Sequence, residues 1–100
     1  MTIVVIGEMR FPPERLNAVR PHLRRLVEAT RALDGCIAYD AAEDLFDPGL
    51  VRLSEIWPDR AALARHLQAP HIVPWRAVAA ENSVTGRRFL SWAASDPLTV

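Results

Sequence analysis

Two residues of this chain carry side chains suited to moving protons. Glu55 stands two positions before Trp57, and His66 follows on the far side of Pro58. Burial raises the pKa of a carboxyl, and an imidazole titrates near neutral pH, so either group can act as a base. Both also have a structural interpretation. Glu55 can be a buried carboxylate paired with an arginine, and His66 a buried imidazole bonded to a carbonyl or to Glu55.

Large rings are available to line a pocket beside these two groups. Tyr39, Trp57 and Trp75 could pack against a flat aromatic ligand, although rings in so small a protein also serve as core. Arg76 follows Trp75 directly and adds a positive charge. The sequence therefore predicts a substrate site formed by Tyr39, Trp57, Trp75 and Arg76 around the two catalytic candidates.

The chain has no motif for a flavin, a nicotinamide or a metal. It contains no glycine-rich phosphate loop, no G-x-S-x-G and no C-x-x-C. His66 and His71 are five residues apart with Pro70 between them, a spacing that does not place both on one helix face, and His71 is interpreted as a surface or helix-start residue. Cys36 is interpreted as a small buried hydrophobe. We expect neither a cofactor nor a bound metal.

Length and composition limit the class of protein. The 100 residues form one domain, 1–100, and the 12 basic and 12 acidic residues cancel, which argues against nucleic-acid binding. Every basic residue is arginine, so a lysine Schiff base is excluded. One cysteine cannot form an intramolecular disulfide. With no basic leader and no apolar run near the roughly 20 residues of a membrane span, we expect a cytoplasmic protein without membrane association.

The first third of the chain is predicted to be a strand and a long helix. Residues 2–11 begin with β-branched side chains and end at Pro12-Pro13. A helix then begins at Pro13 and closes at Asp34-Gly35. Pro21 lies inside it, away from the apolar stripe, and predicts a kink at 17–21 with the ring toward solvent. The stripe consists of Leu16, Val19, Leu23, Leu26, Val27, Thr30 and Leu33.

Two strands, two short helices and a last strand follow. The predicted elements are Cys36–Glu43, Leu50–Trp57, a helix capped by Asp59, a helix over 71–81, and Ser83–Ala93. Asp47-Pro48-Gly49 makes the turn between the two strands. Pro70 and Pro74 separate the helices. The inward side chains are predicted to be Leu63, His66 and Leu67 on the first helix, and Ile72, Trp75 and Val78 on the second.

The order β-α-β-β-α-β predicts an α+β ferredoxin-like sandwich with an antiparallel sheet. Its helices can cover only one face of the sheet, yet the first and third strands are apolar on both faces. A second copy of the same sheet is the simplest cover for the remaining face, so we expect a homodimer.

Several short strings, in order along the chain, resemble the antibiotic biosynthesis monooxygenase family, which belongs to the dimeric α+β barrels. They are Gly35-Cys36-Ile37-Ala38-Tyr39, Asp47-Pro48, Glu55-x-Trp57, Ala62-Leu63-x-x-His66-Leu67 and Pro70-His71. The resemblance implies a homodimer whose two sheets form a barrel, with an apolar pocket between the sheet and helices of each subunit. His66 and Glu55 match the family's recurrent histidine and glutamate.

The resemblance also implies several activities. Some members oxidise anthrone-like or quinol substrates with molecular oxygen and no cofactor, others degrade haem, and others isomerise small phosphorylated carbonyl compounds. Anthrone oxygenases and haem degraders place an asparagine near the first strand, and residues 1–16 contain none. Haem degraders carry a histidine ligand in the last helix, where this chain has Trp75-Arg76-Ala77. The haem activity therefore fits this sequence poorly, and the anthrone activity lacks one of the residues that the resemblance implies.

Three functional hypotheses follow. The first is a cofactor-independent monooxygenase of a small phenolic, quinol or polyketide-like ring, with His66 as the base and Glu55 as its orienting partner. The second is a non-catalytic dimeric barrel that binds a small hydrophobic molecule or acts in a stress response. The third is an isomerase of a small carbonyl compound, whose anionic group would be received by Arg52, Arg76 and Arg88.

Overall fold

A four-stranded antiparallel sheet with helices on one face forms the protein, and the computed structural model describes all residues from 1 to 100. The elements are β1 (Thr2–Arg10), a 3-10 turn (Pro13–Arg15), α1 (Leu16–Leu33), β2 (Ala38–Glu43), β3 (Leu50–Trp57), α2 (Arg60–Leu67), α3 (Ile72–Glu81) and β4 (Thr85–Ala94). The strand order is β2-β3-β1-β4 and each neighbouring pair is antiparallel. The predicted ferredoxin-like α+β fold is confirmed.

The two central strands supply the floor of the core. Residues of one strand alternate between the two faces of a sheet. Ile3, Val5 and Met9 of β1 are buried under the helices, as are Leu53 and Trp57 of β3. Ile3 lies opposite Trp57 in the register. The side chains predicted to share one face of β3 therefore do so, and this face is the one that the helices cover.

Helix α1 packs its predicted stripe on the sheet, with one exception. Leu16, Val19, Leu26 and Thr30 are buried, but Leu33, the last residue of the helix, is 73% exposed. The helix continues through Pro21, whose ring is exposed as expected. Its first turn differs from the prediction: residues 13–15 form a 3-10 turn, and the α-helix begins at Leu16.

Helices α2 and α3 are separate, with Pro70 in the break as predicted, whereas Pro74 lies inside the first turn of α3 and does not interrupt it. Asp59 caps α2 by accepting a hydrogen bond from the Ala62 amide over 2.8 Å. Two predicted inward residues are less buried than expected. Leu67, in the last turn of α2, is 45% exposed although it faces the space between helices and sheet, and Val78 of α3 is only half-buried. The residues buried on these helices are Ala62, His66, Ile72, Trp75 and Ala79.

The sheet face without helices carries an apolar patch. Ile6, Leu90 and Trp92 are 49%, 43% and 50% exposed. Val4 lies opposite both Ile56 and Trp92 in the register, and Ile6 lies opposite Leu90, so these five side chains adjoin one another on one face. We call Val4, Ile6, Ile56, Leu90 and Trp92 the open-face patch. The burial pattern supports the expectation that this face requires a cover.

Candidate active site

An apolar cavity of about 400 Å³ lies between the helix-covered face of the sheet and helices α2 and α3. Fourteen of its 19 lining residues are hydrophobic, so it suits an apolar ring better than a sugar or a nucleotide. Of the residues predicted to form the site, the cavity wall contains Tyr39, Glu55, His66, Trp75 and Arg76. The prediction that Trp57 lines the cavity is wrong, because its ring is fully buried behind the wall.

Phe89 of β4 extends the wall across the central strand. It lies opposite Gly7 of β1 in the register. A β-carbon on Gly7 would collide with the Phe89 ring. Glycine at this position therefore lets the ring lie flat against the strand and form one side of the cavity.

His66 is held by a partner that the sequence did not indicate. Its Nδ1 lies 2.7 Å from Oδ2 of Asp34, the residue that caps the end of α1. Both side chains are more than nine-tenths buried. The hypothesis that Glu55 orients His66 is wrong, since no hydrogen bond joins these two residues and the carboxylate bound to the imidazole comes from Asp34.

This hydrogen bond fixes which nitrogen of His66 meets the cavity. A neutral imidazole that donates Nδ1–H to a carboxylate keeps its lone pair on Nε2. Nε2 has no hydrogen-bond partner in the protein. Every fully buried polar side-chain atom does have one, so Nε2 is not fully buried. Nε2 is therefore open to the cavity that His66 lines. This geometry leaves Nε2 available as a proton acceptor.

Two aromatic rings clamp the imidazole in place. The Trp57 ring is tilted 35° to it with centroids 4.8 Å apart, and the Tyr39 ring meets it edge-on at 5.2 Å. Burial among these rings lowers the pKa of His66 below its ordinary value, although the bond to Asp34 opposes the shift. Burial also raises the pKa of Tyr39, so its phenol stays neutral. At neutral pH, His66 is thus an unprotonated base.

Glu55 binds within its own strand. Its Oε1 accepts a hydrogen bond of 2.9 Å from the indole Nε1 of Trp57, which lies on the same face two residues later. Glu55 is 3% exposed, and burial raises the pKa of its carboxyl. The bond from Trp57 and the charge of Arg87 act in the opposite direction on this pKa. The carboxyl faces the cavity as a weak acid that holds its proton more readily than an exposed glutamate.

The raised pKa of Glu55 predicts a pH-dependent effect of Glu55→Gln. Above the raised pKa, the wild-type protein bears the cost of a buried carboxylate, whereas the glutamine amide has no charge and still accepts the Trp57 bond. Below the unfolded pKa of about 4.3, both side chains are neutral and the difference vanishes. The variant should melt higher at pH 8 and equally at pH 4. About 1 kcal/mol moves the melting temperature of such a domain by about 4–8 °C.

Thermal unfolding of the two proteins from pH 8 to pH 4 at one protein concentration measures this effect. The contribution of His66 cancels, because both proteins carry it. A variant that melts lower than the wild type by a constant amount over the whole range would show that Glu55 stabilises the fold by packing alone.

Two arginines lie at the cavity wall. Only one of them, Arg76, is among the three arginines expected to receive an anionic group. Arg76 lines the cavity and donates a hydrogen bond of 3.1 Å to the Leu67 carbonyl. Arg87, which the sequence did not single out, also lines it and lies 4.5 Å above the Phe89 ring. Arg52 and Arg88 instead lie opposite Glu8 on the face without helices, and Arg52 pairs there with Glu8 and Asp44.

The residues that could hold a metal lie behind the cavity. His71 Nε2 is 3.0 Å from the same Asp34 Oδ2 that binds His66. The ligand atoms of Asp34, His66 and His71 all lie within 4.8 Å of one another. The spacing argument against a metal pair does not hold, because both imidazoles converge on Asp34. They are not on one helix, but the break at Pro70 turns the chain so that His71 returns beside Asp34.

The fold and the cavity have counterparts among known proteins. The family model described as antibiotic biosynthesis monooxygenase matches residues 2–78. The chain belongs to the antibiotic biosynthesis monooxygenase family. This membership confirms the resemblance seen in the sequence and supports a monooxygenase activity in general.

Individual members of the family are similar over most of the chain. Rv0793 from Mycobacterium tuberculosis, provisionally named a monooxygenase, is 35% identical over 79 residues, which are 79% of this chain and 77% of that protein. Its solved structure has a TM-score of 0.85 and covers 99% of this chain and 100% of that one. A Deinococcus radiodurans structure, provisionally named an antibiotic biosynthesis monooxygenase, has a TM-score of 0.90 at 26% identity and covers 98% and 97% of the two chains. No helix of this protein is long and apolar enough to span a bilayer.

Proposed function

We propose that this protein is a cofactor-independent monooxygenase that oxidises a small phenolic, quinol or polyketide-like aromatic compound with molecular oxygen. The observation that carries the proposal is the unpaired Nε2 of His66 at the wall of an apolar cavity, with Nδ1 held by a buried carboxylate. A neutral, oriented imidazole in a water-poor pocket is suited to remove a proton from an electron-rich ring.

In the proposed reaction, His66 Nε2 takes a proton from an acidic O–H or ring C–H of the substrate. Asp34 stabilises the imidazolium through Nδ1–H, as a carboxylate does in other oriented His–Asp pairs. The substrate anion passes one electron to dioxygen, and the resulting radical and superoxide combine to a peroxide anion. This anion takes the proton back from the His66 imidazolium to give a hydroperoxide and restore the neutral base. For an anthrone-type methylene, loss of water then gives a carbonyl, so one oxygen atom enters the product and the other leaves as water.

The remaining wall residues would bind the ring. Tyr39 and Trp75 supply aromatic surface, and both are almost fully buried, so little reorganisation is needed when a ligand enters. Glu55, with its raised pKa, is placed to exchange a hydrogen bond with a substrate oxygen instead of orienting His66. Arg76 and Arg87 favour a substrate that develops negative charge.

A homodimer forms part of the proposal. The open-face patch places five apolar side chains on a face that no helix covers, and a second copy of this sheet would bury it. An obligate interface of this kind buries on the order of 2,000 Å² or more. The cavity lies on the opposite side of the sheet, so each subunit would keep its own site.

A second candidate function is suggested by the two arginines at the cavity. Arg76 and Arg87 have no carboxylate within salt-bridge distance, so both are available for an anionic group. An isomerase that moves a proton in a small phosphorylated carbonyl compound would use the same base and these two cations. A non-catalytic protein that binds a hydrophobic ligand would use the cavity but would not need a free Nε2 on His66.

Oxygen uptake tests the proposal. Purified protein, treated with a chelator and checked for the absence of flavin and haem, is mixed with a panel of anthrones, quinols and hydroxynaphthoquinones. We expect at least one compound to consume oxygen faster than in buffer, with one oxygen atom from labelled dioxygen in the product. A panel that binds in the cavity without oxygen uptake would favour the hydrophobic binding protein. Proton exchange in a phosphorylated ketone would favour the isomerase.

A further inference from the structure

The end of α1 and the break between α2 and α3 bring three metal-ligating side chains together. Asp34 Oδ2 lies 2.7 Å from His66 Nδ1 and 3.0 Å from His71 Nε2. Thr30 Oγ1 lies 3.3 Å from the same His71 nitrogen. The side chains of Asp34 and His66 are more than nine-tenths buried, and that of His71 is 18% exposed. The cluster therefore reaches from the cavity wall to the surface.

The donor set matches a known class of metal site. Two imidazoles and one carboxylate are the protein ligands of one group of zinc sites, which leave a fourth position for water. Zinc bonds of about 2.0–2.2 Å at tetrahedral angles place ligand atoms roughly 3.3–3.5 Å apart. Asp34 would need to move away from each imidazole nitrogen by roughly 0.3–0.8 Å, and the two imidazole nitrogens, which lie within 4.8 Å of each other, would need to settle at the same spacing. The exposed side of His71 gives the ion a route from solvent and a water position.

The carboxylate of this cluster is not neutralised by an arginine. Asp34 has two imidazoles as partners and no arginine within salt-bridge distance. Arg76 lines the same cavity but donates its hydrogen bond to the Leu67 carbonyl and does not pair with Asp34. A divalent cation bound between the three side chains would pair with the buried carboxylate of Asp34.

We propose that Asp34, His66 and His71 bind a divalent cation of the zinc class, and that this ion switches off the base. An ion on His66 Nδ1 takes the position of the proton now shared with Asp34. A neutral imidazole bound through Nδ1 must carry its proton on Nε2, so Nε2 changes from acceptor to donor. The binding site stands by itself, whereas the inhibition rests on the proposed function.

Direct binding to the chelator-treated protein tests the site. Zn²⁺ is titrated by calorimetry at pH 7.5, and Co²⁺ by its visible absorption, which reports coordination number. We expect one ion per chain and a raised melting temperature. His71→Ala and Asp34→Asn should each weaken binding by at least about 10–100-fold, since each removes a ligand or its charge. His22→Ala is the matched control, because His22 lies on the outer surface of α1 beside Arg25 and should leave binding unchanged.

The outcomes separate the site from the inhibition. Absence of saturable binding at millimolar ion, or binding equal in His71→Ala and the wild type, would overturn the site. Oxygen uptake in the presence of Zn²⁺ then tests the switch: the wild type should lose activity, and His71→Ala should be insensitive to the same zinc concentration. Zinc that binds at the three residues without inhibiting uptake would refute the switch alone. If no panel compound is oxidised, the proposed function fails and the Co²⁺ spectra still decide the site.

Discussion

Replacing His66 by glutamine should lower oxygen uptake about 10²–10⁴-fold, the usual loss when a positioned general base is removed. Glutamine is the informative substitution because His66 packs between Trp57 and Tyr39, and alanine would leave a hole there. The glutamine amide can still donate a hydrogen bond to Asp34. The comparison is made on the panel compound that the wild type oxidises fastest, with the folded fraction of each protein measured by circular dichroism.

Two further measurements distinguish a base from a structural residue. Because burial lowers the pKa of His66, the acid limb of the wild-type kcat/KM profile should lie below about pH 6.5 and disappear in His66→Gln. His22→Gln should match the wild type in both respects. A His66→Gln protein that melts at a lower temperature but keeps wild-type turnover per folded molecule would assign His66 to the core.

Placing an arginine at Ile6 should dissociate the proposed homodimer. Ile6 is half-exposed in the open-face patch and would be buried twice in a symmetric interface, once from each copy. A hot-spot loss of about 2 kcal/mol per copy amounts to about 4 kcal/mol, or roughly a thousandfold weaker association. Sedimentation velocity at micromolar concentration should show a dimer for the wild type and a monomer for Ile6→Arg.

Val73→Arg is the matched control for this experiment. Val73 is 63% exposed but lies on α3, on the helix-covered side of the sheet. The control should sediment as the wild type does. A folded wild-type monomer at micromolar concentration would contradict the homodimer, and the open-face patch would then need another cover.

The fold was predictable because local chemistry fixes most of its elements. The strand Leu50–Trp57 has the predicted bounds, and Asp59 and Pro70 delimit the following helices as expected. Errors occur at element ends. Leu33 continues the stripe of α1 in sequence but is 73% exposed in the last turn, and Leu67 in the last turn of α2 is 45% exposed although it lines the cavity. Sequence periodicity shows which face a residue occupies and not how far the opposing surface extends.

The candidate site was only partly predictable, for a different reason. Glu55 and His66 have residue types and strand or helix positions that indicate a pocket, and both line it. The partner of His66 is 32 residues away in sequence, at the end of α1. In the sequence, Asp34 has an ordinary explanation as part of a helix stop with Gly35. Long-range contacts of this kind depend on how α1 packs against α2, which no local pattern encodes.

The metal-ligating cluster shows the same limitation. Five-residue spacing on a continuous helix would separate His66 from His71, but Pro70 breaks the helix and the chain turns. A histidine on each side of a helix break is a signal that could have been used, because the turn brings the second ring back toward the first. Arg87 was missed because the register that places it at the cavity depends on the bulged pairing of β4 with β1.

Solvent isotope exchange without oxygen is the most direct test of the central claim, that His66 removes a proton from the bound ring. Anthrones in the panel carry acidic hydrogens on carbon, and their exchange with deuterium oxide can be followed by NMR under anaerobic conditions. We expect the wild-type protein to accelerate this exchange, and His66→Gln to return it to the rate in buffer while His22→Gln does not. Exchange at the buffer rate with a wild-type protein that still oxidises the same anthrone in air would contradict the claim.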